Sequence, residues 1–291
     1  MPDMTNHFQD LRERMAEHGF ESNDDYALAI RCLLESPTSD LRALNIAGDS
    51  ERRKTAFANA LARALDWQIL YHDFSEQSPP LPEVILPPSR DELGREEPPI
   101  DRLDQVVSEA CAYSEGAATA LILDQLQVAD FREHLRIHRL ICDRSWTFRG
   151  ARFYANARNL VVLLISEEPL FHSLQRVSFR VWVGRASARQ IEYQPSDFGL
   201  PDSARPLFAA LQELFRHLGG GPTRSELARV LHSIRHQVRS ADDLALCLYG
   251  WTEGLDRDRL LDPAARPLLE RVIASARPWP VGEVIEIGDG R

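Results

Sequence analysis

The 291 residues, 44% hydrophobic and 27% charged, suit one large α/β domain or two smaller ones, because domains usually run about 100–200 residues. They exclude a disordered or fibrous chain. A net charge of -10 argues against bulk electrostatic capture of nucleic acid or of an anionic membrane. No apolar run reaches the ~20 residues that span a bilayer, and the opening MPDMTNHFQDLRERM has no apolar leader core, so the expected location is cytoplasmic. Cys32, Cys111, Cys142 and Cys247 lie far apart with no CxxC pair, which predicts buried thiols and neither a disulfide framework nor a thiolate zinc site. Of the 34 basic residues, 33 are Arg and one is Lys, at Lys54.

In chain order, residues 1–40 read as a helical lead-in, with Phe8, Leu11 and Met15, then Tyr26, Leu28, Ile30 and Leu33 in a helical pattern, closed by the turn-rich Ser36-Pro37-Thr38-Ser39. Residues 41–200 follow as an α/β domain. Leu41 to Ala47 reads as a strand, Gly48 onward as a loop, and the stretch from Lys54 to Leu65 as a helix; Trp67 to His72 is a second strand. Ser75 to Pro99, dense in proline and acid, reads as a long exposed loop. Leu103–Ser114 is a helix, Ala118–Leu123 a buried strand ending in Asp124, and Val128–Cys142 another helix. Ser145–Tyr154 reads as a hairpin, Leu160–Ile165 as a central strand and Val177–Val183 as a further strand. The βαβα alternation predicts a parallel sheet with helices on both faces. Residues 201–280 form a smaller all-helical domain: Leu207–Leu218, a break at Gly219-Gly220-Gly221-Pro222, then Ser225–Val238, Ala241–Trp251 and Pro263–Ala276. The tail 281–291 reads as a terminal strand or an ordered extension.

Gly48-Asp49-Ser50-Glu51-Arg52-Arg53-Lys54-Thr55 matches G-x-x-x-x-G-K-[ST] except at Arg53. In such a loop, successive backbone N–H groups at a helix N-terminus face phosphates, Lys reaches the terminal phosphates and Thr holds magnesium. Glu51 and Arg53 replace small residues, and Asp49 with Glu51 adds negative charge beside an anion, which predicts weak nucleotide affinity. Asp124 ends an apolar strand where a magnesium-organising carboxylate would sit, and Gln125 follows it; an amide is no general base, so hydrolysis is expected to be slow.

With these parts in this order, the chain resembles the AAA+ ATPases and, among them, the MoxR-like branch, over roughly Leu41 to Thr252. The resemblance implies a P-loop NTPase sheet followed by a helical lid, with ATP or ADP and Mg2+ held by Gly48, Asp49, Ser50, Arg53, Lys54 and Thr55, the metal by Thr55 and Asp124. It implies that Ser166, in VVLLISEEP, ends the sensor strand with Glu168 where Asn is typical. Arg176, in SLQRVSF, looks like the arginine finger acting on the neighbouring subunit, and Arg224, in GPTRSELARVL, the second sensor in the lid. Asp124, Gln125 and Arg176 are thus the catalytic candidates. Arg53 for Gly, Gln125 for Glu and Glu168 for Asn depart from the family together. The resemblance therefore implies a homo- or hetero-oligomeric ring, commonly a hexamer, that remodels or assembles a protein client with slow or absent hydrolysis, in the manner of a chaperone or pseudo-ATPase. Its alternatives are a catalytically inactive scaffold subunit of a mixed complex and a DNA-associated protein of the clamp-loader or initiator type.

Other constellations carry less. Gly48-Asp49-Ser50 also matches the nucleophile block of GDS-type esterases, but the late Asp-x-x-His is absent. His134 with His138, and His232 with His236, have zinc-compatible spacing without a third ligand nearby, and read as solvated polar faces. Arg132, Arg136, Arg139, Arg144, Arg149 and Arg152 suggest either a pore or nucleic-acid surface, with Trp146 and Phe148 facing a channel, or salt bridges between protomers, which is the favoured reading.

Overall fold

The computed structural model describes residues 10–35, 39–75, 101–184 and 192–276. The first nine residues, the acidic loop from residue 76 onward and the 281–291 tail lie outside the described residues. Contacts divide the chain into two compact units, one within Met1–Glu21 and Asp25–Gly184, the other within Ser22–Asp24 and Arg185–Arg291.

The first unit is built on a parallel sheet of β1 (Arg42–Ala47), β2 (Gln68–Asp73), β3 (Thr119–Asp124), β6 (Leu160–Ile165) and β7 (Phe179–Trp182), in the order β2-β3-β6-β1-β7. Every residue of β3 and β6 is buried, as central parallel strands with both faces covered require. Alternation divides their side chains: Leu44, Ile122 and Leu163 face α1 (Leu11–Glu17), α2 (Ala27–Glu35) and α3 (Glu51–Ala64), whereas Leu121, Leu123 and Leu164 face α4 (Arg102–Ser114), α5 (Phe131–Asp143) and the β4–β5 hairpin (Ser145–Phe148, Ala151–Tyr154). On α3 the buried positions are mostly alanine, which lets the helix lie close on the sheet. Phe57 is its large anchor, with its ring centroid 4.8 Å from that of Tyr26 and 5.3 Å from that of Phe20.

Three sequence expectations are corrected here. Helix α3 begins at Glu51, about one turn before Lys54: Ser50 is extended at the N-cap, the Lys54 amide closes on Ser50 O at 3.1 Å, and an acid in the first turn suits the helix dipole. The expected strand from Val177 is shortened, because α6 (His172–Val177) takes its first residue before β7 starts. Trp146 faces no channel. It is 2% exposed, its Nε1 donates to Asp104 Oδ1 at 2.8 Å, and the Arg136 guanidinium lies 4.1 Å from its ring centre. Arg136 also bonds Asp104 and, at 3.1 Å, Glu133, so this arginine locks α4, α5 and the hairpin together inside one chain.

Of the cysteines expected to be buried, only Cys111 is, its thiol pushed up to about 12 by desolvation; Cys142 and Cys247 are half-buried and Cys32 is exposed. His134 is likewise not solvated: it is 3% exposed and packs edge-on against Phe171. Among the described residues no group of three metal-ligating side chains forms, and no helix is long and apolar enough to cross a membrane.

The second unit packs α7 (Arg205–Leu218), α8 (Arg224–His236), α9 (Ala241–Trp251), α10 (Arg257–Leu261) and α11 (Arg266–Ala276) around Leu211, Leu214, Val230, Leu244, Leu248 and Val272. Gly219, at φ 76°, ends α7 in the left-handed conformation. Reciprocal bonds of Ser240 with Asp243 start α9.

Burial lowers the His134 pKa against backbone hydrogen bonds at Leu126 and Ala129 that raise it. The folded state therefore disfavours its proton, so the stability it contributes is present above the ordinary value of 6.5 and is lost as pH falls below it. Urea unfolding followed between pH 7.5 and 5.5 should show a falling midpoint whose slope is shallower in His134→Gln.

Candidate functional site

Strands β1 and β6 lie side by side, but the chain leaves them in opposite directions: from β1 it crosses to the β2 edge, and from β6 it crosses to β7. Ligands of open α/β sheets bind outside the carboxyl ends of the strands at such a reversal. The P-loop-like stretch sits there. Only Gly48, Asp49 and Ser50 separate β1 from α3, and Gly48 is required by packing, since a Cβ would stand 2.1 Å from Val183 O. That approach is fixed by the Val183 amide, which donates to Ala47 O at 2.6 Å.

Lys54, on the buried side of α3, is 2% exposed, and its Nζ donates to Ser166 O at 2.6 Å, bridging α3 to the end of β6. The next residue, Thr55, donates through Oγ1 to Asp124 Oδ2 at 2.6 Å, which ties α3 to the end of β3. Asp124, 2% exposed, is further held by Tyr71 Oη at 3.1 Å and the Gln125 amide at 2.8 Å. A buried carboxylate needs such partners. Sequence reading missed Tyr71. Its signal was the strand pairing, which sets Tyr71 beside Ile122 and Asp73 beside Asp124.

Gln125 has φ 60°, a left-handed conformation uncommon for a residue with a Cβ. Its Nε2 donates to Glu51 Oε1, and its Oε1 accepts from Gln127 Nε2. Gln127 Oε1 in turn accepts from Ser166 Oγ at 3.3 Å and from the Glu167 amide at 3.0 Å. The Glu51 pKa is raised, first by a hydrogen bond with the Glu167 carboxyl and then by desolvation; Gln125 and Lys54 oppose the rise. Gln127 and Glu167 were absent from the sequence expectations.

Several candidates lie elsewhere. The Arg53 guanidinium stands 4.9 Å from the Phe20 ring centre and donates to Glu21 O at 3.0 Å, so it staples the helical lead-in to α3. Asp49 and Ser50 are exposed in the short connection, Arg176 is exposed on α6, and Glu168 is exposed beyond Glu167. Arg224 opens α8 in the second unit and donates to Asp197 O at 2.9 Å.

Thr55 and Asp124 offer the hydroxyl and carboxylate oxygens that a magnesium ion accepts. The phosphate side does not fit: the connection is three residues long, the Lys54 amide is already bonded within α3, and the Glu51 carboxylate stands at the helix start.

No family profile matches this chain, and no curated protein does. Among solved structures, the crystal structure of NtrX from Brucella abortus in complex with ADP is similar at 13% identity and TM-score 0.40, over 97% of this chain and 57% of that one. A second NtrX crystal structure from the same organism is similar at 13% identity and TM-score 0.39, over 94% and 55%. The chain thus spans a little over half the length of these proteins. A likeness of this size assigns no family.

Replacing Thr55 by Val removes a hydrogen bond to a buried carboxylate. The expected loss is about 2 kcal/mol, read as a lowered urea midpoint at unchanged m-value.

Proposed function

We propose that the chain is an AAA+-type protein of MoxR-like organisation that acts as a non-hydrolysing assembly or scaffold subunit of an oligomeric complex, with weak or absent nucleotide binding. The observation that carries this reading is the state of the residue after Asp124. Thr55 and Asp124 meet at 2.6 Å, with the oxygens a magnesium site needs, but Gln125 is an amide turned onto Glu51 and Gln127. A carboxylate that could take a proton from an attacking water is missing at that position.

In this reading Thr55 and Asp124 would hold Mg2+, Lys54 would be the phosphate contact only once the acid at the start of α3 is displaced, and Ser166 orders Lys54 through its carbonyl. Gly48, Asp49 and Ser50 form the connection, and Arg53 keeps the lead-in against α3. Arg176, exposed on α6, is free to reach a neighbouring subunit, and Arg224 belongs to the helical lid. The client is a protein or a partner subunit. Nucleic acid is not favoured, given the net charge of -10 and the internal engagement of Arg136.

Phosphate release from MgATP by the purified protein should equal the background rate and should not change in Lys54→Ala. Sedimentation or light scattering should find a species larger than one chain. Turnover that Lys54→Ala abolishes, or a strictly monomeric protein at high concentration, would overturn the reading.

A further inference from the structure

Glu51 differs from the other acids near the site in what holds it. It is the first residue of α3, its carboxylate accepts from Gln125 Nε2 at the end of β3, and the neighbouring Glu167 carboxyl beyond β6 raises its pKa. Gln125 is tied to Gln127, and Gln127 returns to the Glu167 amide at 3.0 Å. These bonds run as an open relay from the start of α3 across the carboxyl ends of β3 and β6. The relay includes a residue in the left-handed region, Gln125 at φ 60°. Glu51 thereby takes the interactions a phosphate would otherwise take: a position at a helix N-terminus and attraction to Lys54.

We propose that Glu51 is an autoinhibitory contact, an internal anion that holds the nucleotide site shut, so that the site is latent and opens when the carboxylate is removed. The proposal rests on the reading of Lys54, Thr55 and Asp124 as a nucleotide-type site. Two anions cannot share the position at low cost, because like charges a few ångströms apart destabilise each other. An entering phosphate must therefore displace Glu51 and break its bond to Gln125. Once the carboxylate is gone, the first amides of α3 face the site without it, and Lys54 reaches a phosphate by leaving Ser166 O.

The test is calorimetric titration of MgATP, and separately of Mg-pyrophosphate, into the full chain, with melting temperature as a second readout. Glu51→Ala should bind at least about tenfold more tightly than the wild type and melt higher with ligand; Glu51→Gln should move in the same direction by less. Glu115→Ala, which removes an exposed acid at the end of α4, should match the wild type. The double variant with Lys54→Ala should lose the gain. Equal affinity in wild type, Glu51→Ala and Glu51→Gln would overturn the plug. If Glu51→Ala does not fold, Glu51→Gln alone decides by the same comparison. A wild type that turns over ATP through Lys54 would overturn the proposed function instead, so the two failures are distinguishable.

Discussion

The first unit depends on how closely β1 is joined to α3. Three residues make the connection, and the first of them, Gly48, must have no side chain because the backbone at Val183 lies against it. This closeness fixes the rotation of α3 over the sheet. With the helix starting at Glu51, Lys54 falls one turn in and points along the carboxyl ends of the strands to Ser166, while Thr55 meets Asp124. A longer, looser connection would let the first turn act as loop, and the N–H groups around Lys54 would then be available to an anion. Here the Lys54 amide is committed to Ser50 O.

Electrostatics at this end of the sheet then follow from composition. The one Lys of the chain stands among the carboxylates of Glu51, Asp124 and Glu167. Asp124 is satisfied by three donors, whereas Glu51 and Glu167 approach each other and one of them holds its proton to higher pH. Such a group of acids around one cation is tolerable because Gln125 and Gln127 supply neutral donors between them. Amides accept and donate at once, so two of them can link a carboxylate on α3 to a backbone amide after β6 without adding charge.

Much of this was legible in the sequence, because local spacing encodes it. The strand–turn–helix around Lys54, the apolar strand before Asp124 and the central β6 announce themselves by runs and periods. What stayed hidden depends on partners distant in the chain. Glu51 reads as a misplaced negative charge in a phosphate loop, and its partner Gln125 lies 74 residues away. Arg53 reads as a defect in the glycine position, yet the lead-in supplies Phe20 and Glu21 O for it. His134, Arg136 and Trp146 read as a polar and arginine-rich surface. Their burial comes from Phe171 and Asp104, whose positions no periodicity reveals. The second unit was easier, since its helical periods and the glycine break are local signals.

The pairing of Glu51 with Gln125 also bears on why two departures from the expected motif occur together. A glutamate at position 125 would set a second carboxylate against the Glu51 carboxylate at hydrogen-bond range, with Glu167 a third nearby. A small residue at position 51 would leave the Gln125 amide, 9% exposed, without its acceptor, and an unmet buried donor is costly. Either change alone is therefore unfavourable, while the pair is self-consistent. The amide after Asp124 and the acid at the start of α3 are one structural choice: Gln125 secures the Glu51 carboxylate at the helix start.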